Sequence, residues 1–371
     1  MVNNSSSTFS SWDSTFSGPL LIAGPCSAES ENQILSTGRK LHSIGVNIFR
    51  AGIWKPRTRP NSFEGVGDIG LPWLKSLQDE LGIKVAIEVA NAKHVQKALN
   101  AGIDVLWIGA RSSVNPFSIQ EIADSLRGVD VPILVKNPIN PDVDLWQGAI
   151  ERILSSGIKK IAAVHRGFSS YNTTKYRNLP MWEISIEMRR RMPNLPMICD
   201  PSHIGGRRAL IHEISQKAMD LNYDGLMVES HTNPNYAWTD SSQQITPDML
   251  QDILKKLVHK VVEVDNPEIQ NELTLLRNQI DHFDNELIGI LKERMNIASL
   301  IGEYKSENNV TILQPKRWQE ILTKSLKEGS DANLSQEFMR KVFSAIHQES
   351  INKQTNVNKK QEEIKKDSLI K

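Results

Sequence analysis

Short apolar runs recur along residues 19–260, and each is followed by a segment in which apolar residues have helical spacing. The runs are almost continuously apolar, which is typical of parallel strands covered on both faces. Several of the intervening segments end on glycine, as helices often do. Eight runs can be counted: LLIAG, VNIFRAG, IKVAIEV, DVLWIGA, PILVKNP, KKIAAVHRG, PMICDPSH and GLMVESH.

This alternation predicts an α/β fold over residues 19–262. Eight β-α units in about 240 residues are typical of a (β/α)8 TIM barrel. A doubly wound open sheet is the alternative, because it uses the same units without closing the sheet.

The pattern changes after residue 262. Leu273, Leu276, Ile280, Phe283 and Leu287 are spaced three and four apart, as in helices that pack along their length. We therefore expect an all-α domain of three helices over residues 263–356, with the second and third helices over 315–328 and 334–356. The serine-rich residues 1–18 and the charged residues 357–371 are predicted to be disordered.

Composition excludes some functions. The 44 basic and 43 acidic residues leave a net charge of +1, which argues against a nucleic-acid partner or a membrane surface. No run of 18 apolar residues and no secretory signal occur, and two cysteines are too few for a disulfide framework. We expect a cytoplasmic protein.

In a TIM barrel, the chemistry lies where the strands end. Cys26, His203 and Glu229 follow the first, seventh and eighth runs, which become neighbours once the barrel closes. With Asp240 they offer a thiolate, an imidazole and two carboxylates, all of which bind metals. A buried, purely structural role for Cys26 and His203 is the alternative, and Cys199 is interpreted as a core residue.

A second group of residues at the strand ends is cationic. Arginine matches phosphate and carboxylate oxygens with two parallel hydrogen bonds, and lysine supplies a compact charge. The group therefore predicts substrates with at least two anionic groups, and a solvated surface is the alternative. Its members are Arg50, Lys55, Arg57, Arg111, Lys136 and Arg166.

Together these motifs resemble 3-deoxy-D-arabino-heptulosonate 7-phosphate (DAHP) synthase of the short microbial type, a relative of 3-deoxy-octulosonate 8-phosphate synthase. The resemblance is carried, in order, by AGPCS, FRAGIWKPRT, IGAR, LVKNP, VHRG, DPSHIGGRR and MVESH…TDSSQQI. It implies that phosphoenolpyruvate condenses with erythrose 4-phosphate at a divalent metal ion. Manganese is favoured, with iron, cobalt and zinc as alternatives. The KPRT run separates this family from the octulosonate relative, which uses arabinose 5-phosphate.

The same resemblance implies residue roles. The metal ligands are Cys26, His203, Glu229 and Asp240. The phosphoenolpyruvate-binding residues are Arg50, Lys55, Arg111, Lys136 and Arg166. Erythrose 4-phosphate is bound by Pro56, Arg57 and Thr58. Lys55 lies between the two substrates and is the candidate for catalytic proton transfer.

The C-terminal region resembles the all-helical AroQ-type chorismate mutase, which converts chorismate to prephenate without a cofactor. The carrying segments are LRNQIDHFDNELIGILKERMNIASLIGEYK, QPKRWQEIL and FMRKVFSAIHQESINKQ. Arg294 and Lys305 match catalytic positions, and Lys305 would donate to the ether oxygen. The family carries carboxylates where this chain has Gln314 and Trp318. The matching substrate-binding positions are Arg277, Arg294, Lys305, Arg317, Ser350 and Gln354.

Helix geometry gives an independent prediction about the assembly. Arg294 and Lys305 are eleven residues apart, about 20° from the same face, so both can hold one dianion. Arg277 lies about 260° round and about 25 Å away from Arg294. It therefore cannot join that pocket in its own chain. We expect an intertwined homodimer that brings Arg277 of the partner subunit to the pocket, with a higher oligomer as an alternative.

These interpretations combine into a bifunctional enzyme of the shikimate pathway and aromatic amino-acid biosynthesis, acting at the entry step and at a branch point. The alternative is a synthase whose helical domain is a catalytically weak module for binding chorismate or prephenate and for dimerisation. We also expect allosteric regulation, in which prephenate inhibits the synthase through the helical domain.

Overall fold

The computed structural model describes residues 9–57, 61–171, 174–260 and 265–369, with side chains as far as residue 359. The chain divides into two compact units, Met1–Val262 and Glu263–Lys371. Each unit has its own architecture. Among the described residues, no helix combines the length and the apolar character needed to cross a membrane.

In the described part of the first unit, eight parallel strands form a closed barrel in sequential order. The first strand pairs with the last, with Leu20 opposite Gly225 and Gly24 opposite Glu229. The predicted TIM barrel is therefore confirmed, and the open-sheet alternative is wrong. The strands are β1 (Leu20–Gly24), β2 (Ile48–Arg50), β3 (Lys84–Val89), β4 (Val105–Ile108), β5 (Ile133–Lys136), β6 (Ile161–His165), β7 (Met197–Cys199) and β8 (Gly225–Glu229).

Helices surround this barrel, and most begin with a side chain that caps the first turn. Ser30, Asn91 and Asp142 each accept a hydrogen bond from a backbone N–H of the helix that follows. The helices are α1 (Glu31–Ser43), α2 (Gly70–Leu81), α3 (Ala92–Asn100), α4 (Pro116–Ser125), α5 (Val143–Ser155), α6 (Trp182–Arg191), α7 (Pro201–Gly205), α8 (Ile211–Asp220) and α9 (Pro247–Lys256).

The strands are apolar on both faces because each face packs against a different core. Leu20 and Ile22 belong to a cluster inside the barrel with Trp107, whereas Leu21 and Ala23 belong to the layer between strands and helices. Successive side chains of a strand point to opposite faces, so neighbouring residues enter different cores. This explains why the runs show no polar alternation.

The N-terminal residues correct one prediction. Phe9 is fully buried, and with Phe16 it joins the cluster inside the barrel. The Phe9 ring meets the Trp12 ring edge-on at 4.9 Å, and Asp13 pairs with Lys84 at 3.1 Å. The prediction of disorder over residues 1–18 is therefore wrong from Phe9 onward, because apolar side chains cover the inner core. Residues 1–8 lie outside the described part.

The second unit consists, in its described residues, of the three predicted helices, α10 (Pro267–Glu307), α11 (Pro315–Asp331) and α12 (Gln336–Leu369). The prediction of a disordered tail over 357–371 is wrong as far as Leu369, because α12 continues through it. Helices α10 and α12 approach closely at Gly302. A Cβ on Gly302 would lie 2.9 Å from Gln354 Cα, so a larger residue would separate the helices.

We predict that Phe9→Ala lowers the free energy of unfolding of the barrel by about 3 kcal/mol, because it leaves a cavity in the inner core. Urea titration of the full chain measures this. Phe117→Ala is the matched control, since Phe117 is 87% exposed, and we expect it to change the value by less than about 0.5 kcal/mol. Equal effects of the two substitutions would contradict the prediction.

Candidate functional site

Three of the four predicted metal ligands converge at the carboxyl-terminal end of the barrel. Cys26 follows β1, Glu229 ends β8, and Asp240 lies in the loop after β8. One ligand atom from each of them lies within 4.8 Å of the others. The Cys26 thiol donates to Asp240 Oδ2 at 3.5 Å, and Lys55 Nζ donates to Cys26 Sγ at 3.2 Å. The structure thus brings sulfur and carboxylate donors together beside a lysine.

His203, the fourth predicted ligand, lies beside this group but not within it. It sits on α7, and its Nε2 is 3.7 Å from Glu229 Oε1. Its Nδ1 is 2.8 Å from Asp200 Oδ2, which also accepts a hydrogen bond of 2.7 Å from Lys136 Nζ. Asp200 therefore orients His203 through the ring nitrogen that faces away from Glu229, a common arrangement for metal-binding histidines.

The surroundings shift the pKa values of two candidate metal ligands, Cys26 and Asp240, in opposite directions. Burial, followed by the Glu229 carboxylate, raises the pKa of the Cys26 thiol to about 12. Burial is the largest single influence on Asp240 and opposes its ionisation, but Arg177, His203 and Lys55 together outweigh it, and the pKa of Asp240 falls to about 2. A thiol, carboxylates and an imidazole are a donor set that suits a divalent transition metal, whose binding would displace the thiol proton.

Arg50 is the most buried cation of the site, with 2% of its surface exposed. Its Nη2 donates to Glu229 Oε1 at 3.2 Å, whereas its Nε and Nη1 are buried and have no hydrogen-bond partner among the described residues. The guanidinium lies 4.8 Å from the Trp107 ring centroid, and Lys136 Nζ lies 5.9 Å from it. Buried donors without partners indicate a place for an anionic ligand.

The other predicted cations follow neighbouring strands. Arg166 is buried, and its Nη1 donates to Asn178 Oδ1 at 2.9 Å. Burial lowers the pKa of Arg166 to about 10, and Arg177 and Arg111 act in the same direction. Arg111 is exposed and lies in the loop after β4.

The KPRT run lies in the loop between β2 and α2. Arg57 is half-buried, and its Nε donates to the Phe63 carbonyl at 2.8 Å. Pro56 is likewise half-buried. Thr58, predicted to bind the sugar phosphate, lies outside the described residues.

Sequence reasoning missed several residues of this site. Arg177 Nη1 lies 3.0 Å from Asp240 Oδ1, and Gln243 Nε2 donates to Glu229 Oε2 at 2.7 Å. Gln243 and Asp200 lie within motifs that the sequence offered, TDSSQQI and DPSH, so they could have been found there. Arg177 lies in the loop between β6 and α6, well beyond the strand end, and no signal in the sequence marks it. Cys199 is buried in the core, as predicted.

The second unit contains a cavity of about 1160 Å³ between its helices. It is lined by five of the six residues predicted for chorismate: Arg294, Lys305, Arg317, Ser350 and Gln354. Within the described part of this single chain, Arg277 is not among the lining residues. This agrees with the separation that helix geometry gave.

The cavity places cations beside polar side chains. Arg294 Nη1 donates to Ser350 Oγ at 2.6 Å, and Lys305 Nζ donates to the Ile312 carbonyl at 2.7 Å. Trp318 stacks on His347, with ring centroids 4.0 Å apart and planes 12° apart. The site can therefore bind an organic dianion, with an aromatic wall where the resembled family has a carboxylate.

Comparison with known proteins finds a matching family for each of the two units. The model of the DAHP synthetase I family matches residues 17–265, and the model of chorismate mutase type II matches residues 276–355. Phospho-2-dehydro-3-deoxyheptonate aldolase of Thermotoga maritima is 31% identical over 237 residues, which are 64% of this chain and 68% of the relative. A 2-dehydro-3-deoxyphosphooctonate aldolase of Geobacter sulfurreducens is 29% identical over 256 residues, 64% of this chain and 90% of the relative.

Solved structures give the same result for the barrel. The crystal structure of the Thermotoga maritima enzyme, titled a DAHP synthase, aligns with a TM-score of 0.58 at 30% identity. The alignment covers 64% of this chain and 68% of that one. A truncated form of the same synthase aligns with a TM-score of 0.56 at 27% identity, covering 64% of this chain and 84% of that one.

Proposed function

This chain belongs to the DAHP synthetase I family and carries a chorismate mutase type II domain, and from that premise we propose its substrates. The barrel condenses phosphoenolpyruvate with erythrose 4-phosphate, and the helical unit converts chorismate to prephenate. The observation that carries the first proposal is a pair of buried Arg50 donors, without a partner in the described part of the chain, beside the cluster of potential metal ligands.

Phosphoenolpyruvate fits the cationic side of the site. Its phosphate and carboxylate need several donors, and Arg50, Lys136 and Arg166 supply them from three strand ends. Because these cations are buried, their attraction for an anion is screened less than at the surface. They would hold C3 of phosphoenolpyruvate towards Cys26 and Asp240, where we place the sugar aldehyde.

The reaction forms a carbon–carbon bond between C3 of phosphoenolpyruvate and the aldehyde carbon. The aldehyde oxygen takes up a proton and becomes a hydroxyl, water adds at C2, and inorganic phosphate leaves. Lys55 Nζ, 3.2 Å from Cys26 Sγ, is our candidate for delivering the first proton.

We propose that Cys26, His203, Glu229 and Asp240 hold a divalent metal ion, with manganese favoured. Their donor chemistry fits such an ion. Three neighbouring side chains would orient these ligands: Asp200 contacts His203, Gln243 contacts Glu229, and Arg177 contacts Asp240. When bound, such an ion supplies Lewis acidity at a carbonyl oxygen.

We predict that EDTA lowers phosphoenolpyruvate consumption with erythrose 4-phosphate by about a hundredfold or more, and that Mn²⁺ restores it. Cys26→Ala should also lower the bound metal, measured by elemental analysis, from about one ion per chain to less than a tenth of that. Cys199→Ala is the matched control, because Cys199 is buried in the core, and it should retain metal.

Activity that survives complete removal of metal would contradict the metal proposal. The same assay with arabinose 5-phosphate tests the sugar, since the Geobacter relative is an octonate aldolase by name. A faster reaction with the five-carbon sugar would overturn the choice of erythrose 4-phosphate.

For the helical unit, the supporting observation is the cavity whose wall carries Arg294, Lys305 and Arg317. Cations on several sides would select the compact conformer of chorismate and stabilise charge on the breaking ether bond. Lys305 is the proposed donor to that oxygen, and Ser350 and Gln354 complete the polar wall.

We propose that two chains form this site together. Helix α10 exposes a row of large apolar residues, which is unusual for a helix in contact only with its own chain. A second copy of α10 would cover this face and bring Arg277 of the partner subunit to the cavity. The exposed residues include Leu273, Leu276, Ile280, Phe283, Leu287 and Ile290.

We predict that Arg277→Ala and Arg294→Ala each abolish chorismate turnover. When the two inactive variants are unfolded together and refolded, about a quarter of wild-type activity should return, because mixed dimers hold one intact site. Prephenate formation followed by absorbance measures this. Each variant refolded alone is the control, and failure of the mixture to recover activity would contradict a shared site.

The weak-module alternative is favoured by one observation, the Trp318 ring stacked on His347 at the cavity wall. Wild-type protein that binds chorismate but forms no prephenate would establish it.

Regulation is compatible both with an active mutase unit and with a weak binding module. We propose that prephenate bound in the helical unit lowers the synthase rate. We predict inhibition of phosphoenolpyruvate consumption by prephenate in the full chain, and loss of that response in Arg294→Ala, because the cavity then lacks a cation for the dianion. A synthase rate that saturating prephenate leaves unchanged would contradict this.

A further inference from the structure

The loop that carries Asp240 is fastened to the loop after β1. Glu29 Oε1 accepts a hydrogen bond of 2.7 Å from the backbone N–H of Trp238. The hydroxyls of Ser27 and Thr239 lie 2.7 Å apart. These contacts hold the backbone just before Asp240, and they use no part of the Trp238 ring.

The Trp238 ring instead meets a third loop. It packs edge-to-face on Phe63, with centroids 5.2 Å apart and planes at 90°. Phe63 lies in the loop between β2 and α2, and its carbonyl accepts the hydrogen bond from Arg57 Nε. Trp238 is 59% exposed, so filling the core does not explain its size.

Phe63 directly precedes Glu64, whose carbonyl helps to close the base of the β2–α2 loop. That base is closed by two backbone hydrogen bonds of 2.8 Å, from Lys55 N–H to the Glu64 carbonyl and from Gly67 N–H to the Ile53 carbonyl. These bonds join backbone groups, whereas the Arg57 side chain is held by the Phe63 carbonyl. The ring contact of Phe63 with Trp238 ties the residue that carries this carbonyl to the neighbouring loop.

We propose that Trp238 and Phe63 are positioning residues that hold Arg57 at a fixed distance from Asp240. This inference rests on the proposed function, in which Arg57 binds the sugar phosphate and Asp240 lies at the aldehyde end. The two ends of one substrate would then be aligned by a single aromatic contact. A fixed distance between phosphate and aldehyde sites lets one sugar occupy both without reordering the loops, which strengthens its binding.

The test compares Trp238→Ala with two related variants. We expect Trp238→Ala to raise KM for erythrose 4-phosphate by about three- to tenfold, the size of an aromatic contact, while kcat and KM for phosphoenolpyruvate stay within about twofold. Trp238→Phe keeps a ring and should recover most of the loss. Tyr236→Ala is the control, because Tyr236 lies on the same loop and is 78% exposed, and it should behave as wild type.

A double variant distinguishes positioning from a general loss of structure. Phe63→Ala combined with Trp238→Ala should raise KM no more than the worse single change, because both remove the same contact. Additive effects, or a loss of bound metal in Trp238→Ala, would overturn the proposal.

A measurement that needs no activity separates this inference from the proposed function. Hydrogen exchange of the Lys55 and Gly67 amides should accelerate in Trp238→Ala and not in Tyr236→Ala, because loss of the ring contact frees the loop. Unchanged exchange would overturn the proposal even in an active enzyme. A wild-type protein without synthase activity would instead refute the proposed function and leave the exchange result to decide the ring contact.

Discussion

The first site depends on one pairing, that of β1 with β8. These strands are separated by about 200 residues in sequence, and their parallel contact closes the barrel and sets Gly24 opposite Glu229. Gly24 passes so close to the Arg50 carbonyl that a Cβ would lie 2.0 Å from it, which only glycine permits. Cys26, two residues later, therefore enters the same space as Glu229. Without closure, the thiol that follows the first strand and the carboxylate that ends the last strand would not be neighbours.

The barrel mouth then contains more buried charge than stability alone would favour. Arg50 pairs with Glu229 and Lys136 with Asp200, and all four groups are withdrawn from water. The attraction within a buried ion pair offsets little more than the free-energy cost of removing both charges from water. Ligand binding therefore explains these pairs better than stability does. Trp107 beneath the cations separates them from the apolar barrel interior. Among the described residues, two donors of Arg50 have no hydrogen-bond partner, and an anion is the kind of ligand that would satisfy them.

The helical unit depends on a different constraint, which is how the apolar face of α10 is covered. Its cavity is formed within one chain by residues of three helices, but a large part of the apolar surface of α10 stays exposed. The spacing that predicted the helix also predicted a continuous apolar face, and much of that face is exposed among the residues that the structure describes. Arg277 belongs to that exposed region, so the role proposed for it requires a second chain.

The sequence by itself determined the two architectures and most of the candidate residues, because strand runs, helix spacing and motifs at strand ends are local patterns. It was wrong about the termini, because Phe9 is buried against the inner core and α12 continues through a charged segment whose composition suggested disorder. Only the tertiary structure placed Arg177 beside Asp240 and Trp238 against Phe63, because these contacts join loops far apart in sequence. Such contacts follow from barrel closure, and no periodicity within a single segment encodes them.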